Sequence, residues 1–147
     1  MMPGESKIVI ADTSCFILLT NIGELTLLKS LFGNIVTTSV IAFEFGEQLP
    51  EWVEIIEVKD INLQSTIEID AGEASAIILG LEHPHSLLII DDNKGRKVAK
   101  RLGLNITGSL GIFLKAKGAG IIPSVRSIIQ KVQQTDFRYS QAVLKKF

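Results

Sequence analysis

The sequence predicts a three-layer α/β/α sandwich with a mostly parallel central sheet, because short buried strands alternate with amphipathic helices. Residues 7–11 and 87–90 are short, continuous runs rich in apolar residues, which favour strands buried on both faces. Residues 71–82 place apolar side chains at the i, i+3, i+4 and i+7 positions of one helix face. Since strands that alternate with helices form βαβ units, we expect a parallel sheet with helices on both sides.

The other elements continue this alternation along the chain. Shorter strands are predicted at residues 35–37, 55–58 and 105–107. Helices are predicted near residues 24–32, 39–48, 61–67, 92–102 and 109–118, with two more within 123–146. No repeat, low-complexity tract or linker divides the chain, so residues 1–147 are interpreted as one domain, with 123–147 as a C-terminal helical extension.

The composition excludes several classes of protein. With 46% hydrophobic and 21% charged residues, the chain is expected to fold as a globular domain, and disorder is disfavoured. No uninterrupted apolar stretch reaches the roughly 18 residues of a membrane span, and the N-terminus lacks a signal-peptide pattern. The single cysteine, Cys15, excludes an internal disulfide bond and is interpreted as an inert core residue at a helix start. We expect a cytoplasmic protein.

Acidic residues directly follow both of the predicted buried strands. Asp12 comes after residues 7–11, while Asp91 and Asp92 come after residues 87–90. Ligands of open parallel sheets bind beyond the carboxyl ends of the strands, so these carboxylates are expected at one edge if the two strands are neighbours. An unpaired carboxylate in a dry interior is costly. A divalent cation such as Mg²⁺ or Mn²⁺, which prefers hard oxygen ligands, would neutralise such groups.

Two further acids lie on the apolar faces of predicted helices. Glu44 shares a helix face with Val40, and Glu73 shares the inward stripe of Ile77 in the first helical turn, where negative charge is tolerated. Asp70 precedes the same helix and is interpreted chiefly as its N-cap. The sequence therefore predicts one metal-dependent site formed by Asp12, Glu44, Glu73, Asp91 and Asp92.

The charges are unevenly distributed, although the net charge is only −1. Residues 1–70 carry 3 Lys and Arg against 11 Asp and Glu, whereas residues 71–147 carry 12 against 5. The densest basic cluster follows the Asp91-Asp92 pair and consists of Lys94, Arg96, Lys97, Lys100 and Arg101. Such a cluster is either a solvated helix face or, beside acids that hold a cation, a surface that binds a polyanion.

Five segments, taken in order and at these distances, resemble the PIN domain, a family of Mg²⁺- or Mn²⁺-dependent ribonucleases that includes VapC-like toxins. The segments are Ile8-Val-Ile-Ala-Asp-Thr-Ser14, Ser39-Val-Ile-Ala-Phe-Glu44, Asp70-Ala-Gly-Glu-Ala74, Leu87-Leu-Ile-Ile-Asp-Asp-Asn-Lys-Gly-Arg-Lys-Val-Ala99 and Ile106-Thr-Gly-Ser-Leu-Gly111. The resemblance extends from residue 7 to about residue 122. Residues 137–144 also look like the ending of a short PIN-like branch without an assigned function.

The resemblance implies a role for each matching residue. The implied metal ligands are Asp12 as the central one, Glu44, Glu73, and one or both of Asp91 and Asp92. Ser14 and Ser109 resemble the polar residues that support these acids, although many relatives carry Thr where Ser109 stands. A choice between Asp91 and Asp92 stays open, because counting from the strand favours the first and counting back from the helix favours the second.

The implied activity is hydrolysis of RNA phosphodiester bonds with one or two metal ions, which leaves 3′-hydroxyl and 5′-phosphate ends. The metal would lower the pKa of an attacking water and stabilise the charged transition state. The basic residues 94–101 would position the RNA backbone, which predicts a steep salt dependence. The protein is expected to be the toxin of a toxin–antitoxin pair, with a small antitoxin protein as partner, and apolar residues of the C-terminal helices predict a homodimer.

Two other function classes fit the sequence less well. A phosphatase or receiver-like phospho-acceptor would use Asp12 as nucleophile, but Thr13-Ser14 follows it instead of the Asp-x-Asp pattern of haloacid-dehalogenase-type enzymes. A non-catalytic RNA- or protein-binding module is the other alternative, and the retention of all the acids disfavours it. His83-Pro84-His85 is interpreted as a surface turn, since no third ligand is near in sequence, and Trp52 as a packing anchor.

Overall fold

A five-stranded parallel sheet forms the centre of the protein, as the sequence predicts. The structure is a computed structural model that describes residues 8–64 and 67–146. The sheet has the order β3-β2-β1-β4-β5, and every neighbouring pair of strands is parallel. The strands are β1 (Val9–Ala11), β2 (Ile35–Thr38), β3 (Val53–Ile56), β4 (Leu87–Ile89) and β5 (Asn105–Thr107).

Helices cover both faces of this sheet. They are α1 (Thr13–Asn21), α2 (Thr26–Phe32), α3 (Ser39–Phe45), α4 (Ile61–Gln64), α5 (Ala71–Glu82), α6 (Asn93–Arg101), α7 (Ser109–Gly118), α8 (Val125–Gln133) and α9 (Gln141–Leu144). The central helix α5 packs on β1, β2 and β4 and contacts α3, α4 and α6, whereas α2 and α7 contact each other and the sheet, and α7 also contacts α8. The three-layer α/β/α architecture is therefore confirmed.

The register between β1 and β4 brings two candidate site segments to the same edge of the sheet. Ala11 pairs with Ile89, and the Asp12 backbone N–H donates to the Ile89 carbonyl at 3.3 Å. Because both strands run in the same direction, the residues that follow them emerge side by side. The strand order also reverses at β1 and β4, which is where ligands bind in open α/β sheets.

The hydrophobic core is continuous across the sheet and includes the C-terminal region. Ile10, Leu88 and Ile89 at the centre of the sheet are at most 1% exposed. The apolar face of α8 is buried against the same cluster through Val125, Ile128, Ile129 and Val132. The expected apolar surface on the C-terminal helices is therefore largely used within the chain, which removes the reason given above for a homodimer.

Several element boundaries differ from the prediction. The third strand is β3 (Val53–Ile56) instead of residues 55–58, because its pairing with β2 begins at Ile35 opposite Val53, where the Val53 side chain is buried. Lys7 and residues 65–66, which the prediction placed in a strand and a helix, lie outside the described residues. Residues 13–21 form helix α1, which the list of predicted helices did not include, although Cys15 was placed at a helix start.

The C-terminal helices do not fill residues 123–146 as predicted. Between α8 and α9 the chain leaves the helical conformation over residues 134–140, which we call the C-terminal segment. Thr135 stabilises the turn that follows α8. Its hydroxyl donates to the Val132 carbonyl at 2.6 Å and accepts from the Phe137 N–H at 3.1 Å. The chain then continues across the carboxyl edge of the sheet.

Among the described residues, no single helix is long and apolar enough to cross a membrane. Only α1 and α2 taken together pass this test, and they are bent by 116° relative to each other.

Candidate functional site

Asp12 occupies the start of α1 at the carboxyl end of β1. It is the N-cap of this helix: Oδ1 accepts from the Thr13 N–H at 2.8 Å, and Oδ2 accepts from the Ser14 hydroxyl at 3.3 Å. The residue is only 2% exposed. The pKa of Asp12 is raised from 3.8 to about 7, chiefly by burial and also by the nearby charges of Asp70 and Glu44, while the two hydrogen bonds oppose this rise.

Glu44 reaches the same place from α3. Its Oε1 accepts a hydrogen bond from the Thr13 hydroxyl at 2.7 Å, so Thr13 contacts both Asp12 and Glu44. The carboxylate also lies over the first turn of α5 at Gly72. A Cβ atom built on Gly72 would come within 2.9 Å of the Glu44 Cδ and closer still to Oε1, so the glycine leaves the space that this carboxylate occupies.

Glu73 and Asp70 approach from the start of α5. Asp70 caps the helix as predicted, since its Oδ1 accepts from the Glu73 N–H at 2.9 Å. Glu73 is 7% exposed, and burial raises its pKa from 4.5 to about 8, with further contributions from the charges of Asp70, Asp12 and Asp92. The start of α6 packs closely beside this carboxyl group: a Cβ on Gly95 would lie 2.6 Å from the Ile90 Cδ1 and 3.4 Å from the Glu73 Cδ.

The two acids after β4 have different surroundings. Asp92 is exposed and caps α6, with Oδ2 accepting from the Gly95 N–H at 2.9 Å. Asp91 is half-buried, and its Oδ1 accepts from both the N–H and the hydroxyl of Ser109, at 2.9 and 3.1 Å. Its Oδ2 is buried and has no hydrogen-bond partner among the described residues. Burial raises the pKa of Asp91, opposed by Ser109 and by the charge of Arg96.

Three helices therefore direct their N-termini at one edge of the sheet. Asp12, Asp70 and Asp92 cap α1, α5 and α6, and each of them contributes to the raised pKa of Glu73. The helix dipoles favour negative charge at these positions. Among the described residues, the charge of Arg96 lowers the pKa of Asp91, whereas no basic side chain lowers the pKa of Asp12 or Glu73. Within the described part of the chain, an ion pair joins Lys131 to Glu24 at 2.7 Å.

The donor set suits a hard divalent cation. It consists of carboxylate and hydroxyl oxygens. The raised pKa values of Asp12 and Glu73 indicate that their negative charges are not balanced by positive charge nearby. Among the described residues, Asp91 Oδ2 is a buried acceptor without a donor. Within residues 8–64 and 67–146, however, no three His, Cys, Asp or Glu side chains form a complete metal-binding group. Uncompensated carboxylates repel one another, so a bound cation would have to draw them closer together.

The basic residues of α6 do not form one surface. Arg96 is half-buried, and its Nη1 donates to the Ile90 carbonyl at 2.8 Å, close to Asp91. Lys94, Lys97 and Arg101 instead line a cleft of about 440 Å³ with residues 67–68, and Lys100 is exposed. Their role in nucleic-acid binding stays a prediction.

Asp91 lines a second cleft of about 490 Å³. The end of β5, the starts of α6 and α7, and the C-terminal segment surround it, and Arg96, Arg138 and Tyr139 are among its lining residues. The Tyr139 hydroxyl lies 2.5 Å from the Ser109 Oγ. No role was assigned to Thr13 or Tyr139 from the sequence. Both lie within segments that resemble the PIN family, but the segments do not show which side chains these two residues contact.

The residues that were interpreted as structural lie in the core, against it or in a surface turn. Cys15 lies in the core and is 2% exposed. Trp52 is partly buried and packs against the same core. His83 follows the last turn of α5, where its Nδ1 lies 3.0 Å from the Leu79 carbonyl, and His85 is exposed in the turn with a φ of 71°.

Comparison with known proteins identifies a family relationship over nearly the whole chain. A protein-family model described as a PIN domain matches residues 8–147. No curated protein matches the chain.

Proposed function

Because the chain belongs to the PIN domain family, which indicates a nuclease, we propose that it is a metal-dependent endoribonuclease that hydrolyses RNA phosphodiester bonds. The observation that supports this most strongly is the uncompensated burial of Asp12 and Glu73 where the strand order reverses. Capping α1 explains the place of Asp12, but burying two carboxyl groups near each other costs stability when no basic side chain of the described residues lowers their pKa. Perturbed pKa values of this kind cluster at functional sites.

The proposed ligands of Mg²⁺ or Mn²⁺ are Asp12, Glu44, Glu73, and one or both of Asp91 and Asp92. When bound, the cation supplies a Lewis acid that lowers the pKa of a water and neutralises charge on the phosphate. Thr13 would hold Asp12 and Glu44 in a fixed relation, because its N–H and hydroxyl bind one each. Arg96 lies beside Asp91, where its remaining guanidinium donors could bind a phosphate oxygen of the RNA.

The first test is the isosteric variant Asp12→Asn, which removes the central carboxylate. We expect Mn²⁺-dependent cleavage of single-stranded RNA to fall by about 100-fold or more, and EDTA to abolish cleavage by the wild type. Glu54→Gln is the matched control, because Glu54 is exposed on β3 at the far edge of the sheet. Cleavage by Asp12→Asn at the wild-type rate would show that the assigned site is wrong.

A non-catalytic RNA-binding module is the second candidate. One observation favours it: the described acids do not form a complete metal-binding group. In that case the wild type would bind RNA in a mobility-shift assay with a steep salt dependence, and neither Mn²⁺ nor EDTA would change the length of the RNA.

The finer roles are also proposals. The role as toxin of a toxin–antitoxin pair with a small antitoxin protein rests on the resemblance, the cytoplasmic location on the composition and single cysteine, and the homodimer on apolar surface. For a dimer, the structure offers exposed apolar side chains elsewhere than on α8, of which Phe43 at 87% exposure is the most accessible. Sedimentation showing a monomer at micromolar concentration would contradict the dimer.

A further inference from the structure

The C-terminal segment (residues 134–140) delivers one hydroxyl group to the acidic edge of the sheet. The Tyr139 OH lies 2.5 Å from the Ser109 Oγ, thirty residues earlier in the chain. Ser109 in turn donates to Asp91 Oδ1 from both its N–H and its hydroxyl. Since the single hydroxyl proton of Ser109 is used on Asp91, the proton between the two hydroxyl groups comes from Tyr139. The order of donation is Tyr139 to Ser109 to Asp91.

The surroundings of Tyr139 hold this chain of hydrogen bonds in place. The ring packs edge-on against Phe137, with centroids 5.0 Å apart and planes at 73°. Burial raises the pKa of Tyr139, so the hydroxyl keeps its proton at neutral pH and remains a donor. Ser109 has no exposed surface. The middle member of the network is therefore shielded from water, whereas Asp91 and Tyr139 are half-buried and line the cleft of about 490 Å³.

The network fixes one oxygen of Asp91 and leaves the other without a partner. Oδ1 receives both Ser109 donors, and Oδ2 is buried with none. The close approach depends on Gly108, because a Cβ there would lie 2.7 Å from Oδ1. A carboxylate held by one oxygen, with a desolvated second oxygen, has the arrangement of a metal ligand that is oriented by groups outside the coordination shell.

We propose that Tyr139 is a positioning residue: acting through Ser109, it orients Asp91 so that Oδ2 is presented to the cation. This inference rests on the proposed metal-dependent function. It assigns a role at the site to the C-terminal segment, and it favours Asp91 as a ligand because Asp91 Oδ2 is a buried oxygen without a hydrogen-bond partner among the described residues.

The test measures Mn²⁺ affinity by calorimetry on the full chain, separately from cleavage. Tyr139→Phe keeps the ring against Phe137 and removes only the hydroxyl. We expect the Kd for Mn²⁺ to rise about 10-fold, as is typical when a group that orients a metal ligand is lost. The matched control is Ser140→Ala in the same segment, because the Ser140 hydroxyl caps α9 through the Val143 N–H at 3.2 Å. This variant should bind Mn²⁺ like the wild type.

A double-mutant cycle separates positioning from general stability. If Tyr139 acts through Ser109, Tyr139→Phe should have no further effect on the Kd in a Ser109→Ala background. Additive effects of the two substitutions, or a lower melting temperature of Tyr139→Phe with an unchanged Kd, would overturn the inference. If the wild type cleaves RNA but binds Mn²⁺ with the same Kd as Tyr139→Phe, the positioning role is overturned and the proposed function stands. A wild type that binds no Mn²⁺ would overturn both.

Discussion

At the scale of single residues, the protein places carboxyl groups in buried positions, where a negative charge is energetically costly. Asp12 and Glu73 are buried, and the causes of their raised pKa values are burial first and neighbouring acids second. Each has polar neighbours, but the hydrogen bonds of Asp12 from Thr13 and Ser14 do not restore its usual pKa. The metal-free site therefore holds protons that the unfolded chain would release.

This proton uptake predicts how the metal-free protein responds to pH. In the unfolded chain Asp12 and Glu73 ionise near 3.8 and 4.5, whereas in the folded protein they ionise near 7 and 8. Between these limits the folded state binds more protons, so the free energy of unfolding falls as pH rises through this window. We expect the melting temperature in EDTA to be lower at pH 9 than at pH 5. A melting temperature that rises over this range would contradict the pKa assignment.

The variant Asp12→Asn tests which residue causes that response. Because asparagine carries no charge to desolvate, the metal-free variant should melt no lower than the wild type at pH 8, with a weaker pH dependence. Glu54→Gln on the far edge of the sheet should leave the pH dependence unchanged. A clear drop in the melting temperature of Asp12→Asn would indicate a structural role for Asp12.

At the scale of secondary-structure elements, three helix N-termini and two glycines build the site. The helices α1, α5 and α6 begin with aspartate caps, and their dipoles favour the negative charge gathered between them. Gly72 lies in the first turn of α5, where a larger residue would meet the carboxyl group of Glu44, and Gly95 lies in the first turn of α6, where a larger residue would meet Ile90. Alanine would suit the helix better at both positions, so the glycines are kept for close packing at this edge.

Gly72→Ala separates helix stability from the geometry of the site. Alanine should favour α5 by up to about 1 kcal/mol, while its methyl group displaces the flexible end of Glu44. We expect cleavage to fall roughly 10- to 100-fold, since a misplacement of about 1 Å is that costly, with a melting temperature at or above that of the wild type. The control is Gly118→Ala in α7, where a Cβ meets nothing within 4 Å. Equal activity of both variants would show that the position of Glu44 does not matter.

At the scale of the whole molecule, distant parts of the chain meet at one edge of the sheet. Acids follow β1 and β4 and begin α5, one lies on α3, and the C-terminal segment returns to contact the start of α7. The same core that buries β1 also buries α8. Binding at the acidic edge should therefore be linked to the stability of the entire fold.

Metal binding should stabilise the fold more at high pH than at low pH. Protons compete with the cation for Asp12 and Glu73, whose pKa values lie near 7 and 8. At a Mn²⁺ concentration 100 times the Kd, the stabilisation amounts to about 2.7 kcal/mol. We expect the rise in melting temperature on adding Mn²⁺ to be larger at pH 8.5 than at pH 5.5. An equal rise at both values would place the cation away from these acids.

Much of the fold could be predicted from local patterns. The strand at residues 105–107 and the helix at 109–118 have the predicted bounds, and Asp70 caps α5 as expected. The break between α8 and α9 could not be predicted in this way, because it depends on the side-chain hydrogen bonds of Thr135. The expectation that the apolar residues of the C-terminal helices lie on the surface was wrong for α8. Periodicity shows that a helix has an apolar face, but it does not show which part of the chain covers that face.

The sequence by itself determined which side chains bear the charge and which strands they follow, because both are properties of the chain read in order. Only the tertiary structure decided that β1 and β4 are neighbours, that Thr13 joins Asp12 to Glu44, and that Tyr139 lies next to Ser109. These contacts join residues far apart in the chain. Their partners are selected by how the elements pack, and no local pattern carries that information.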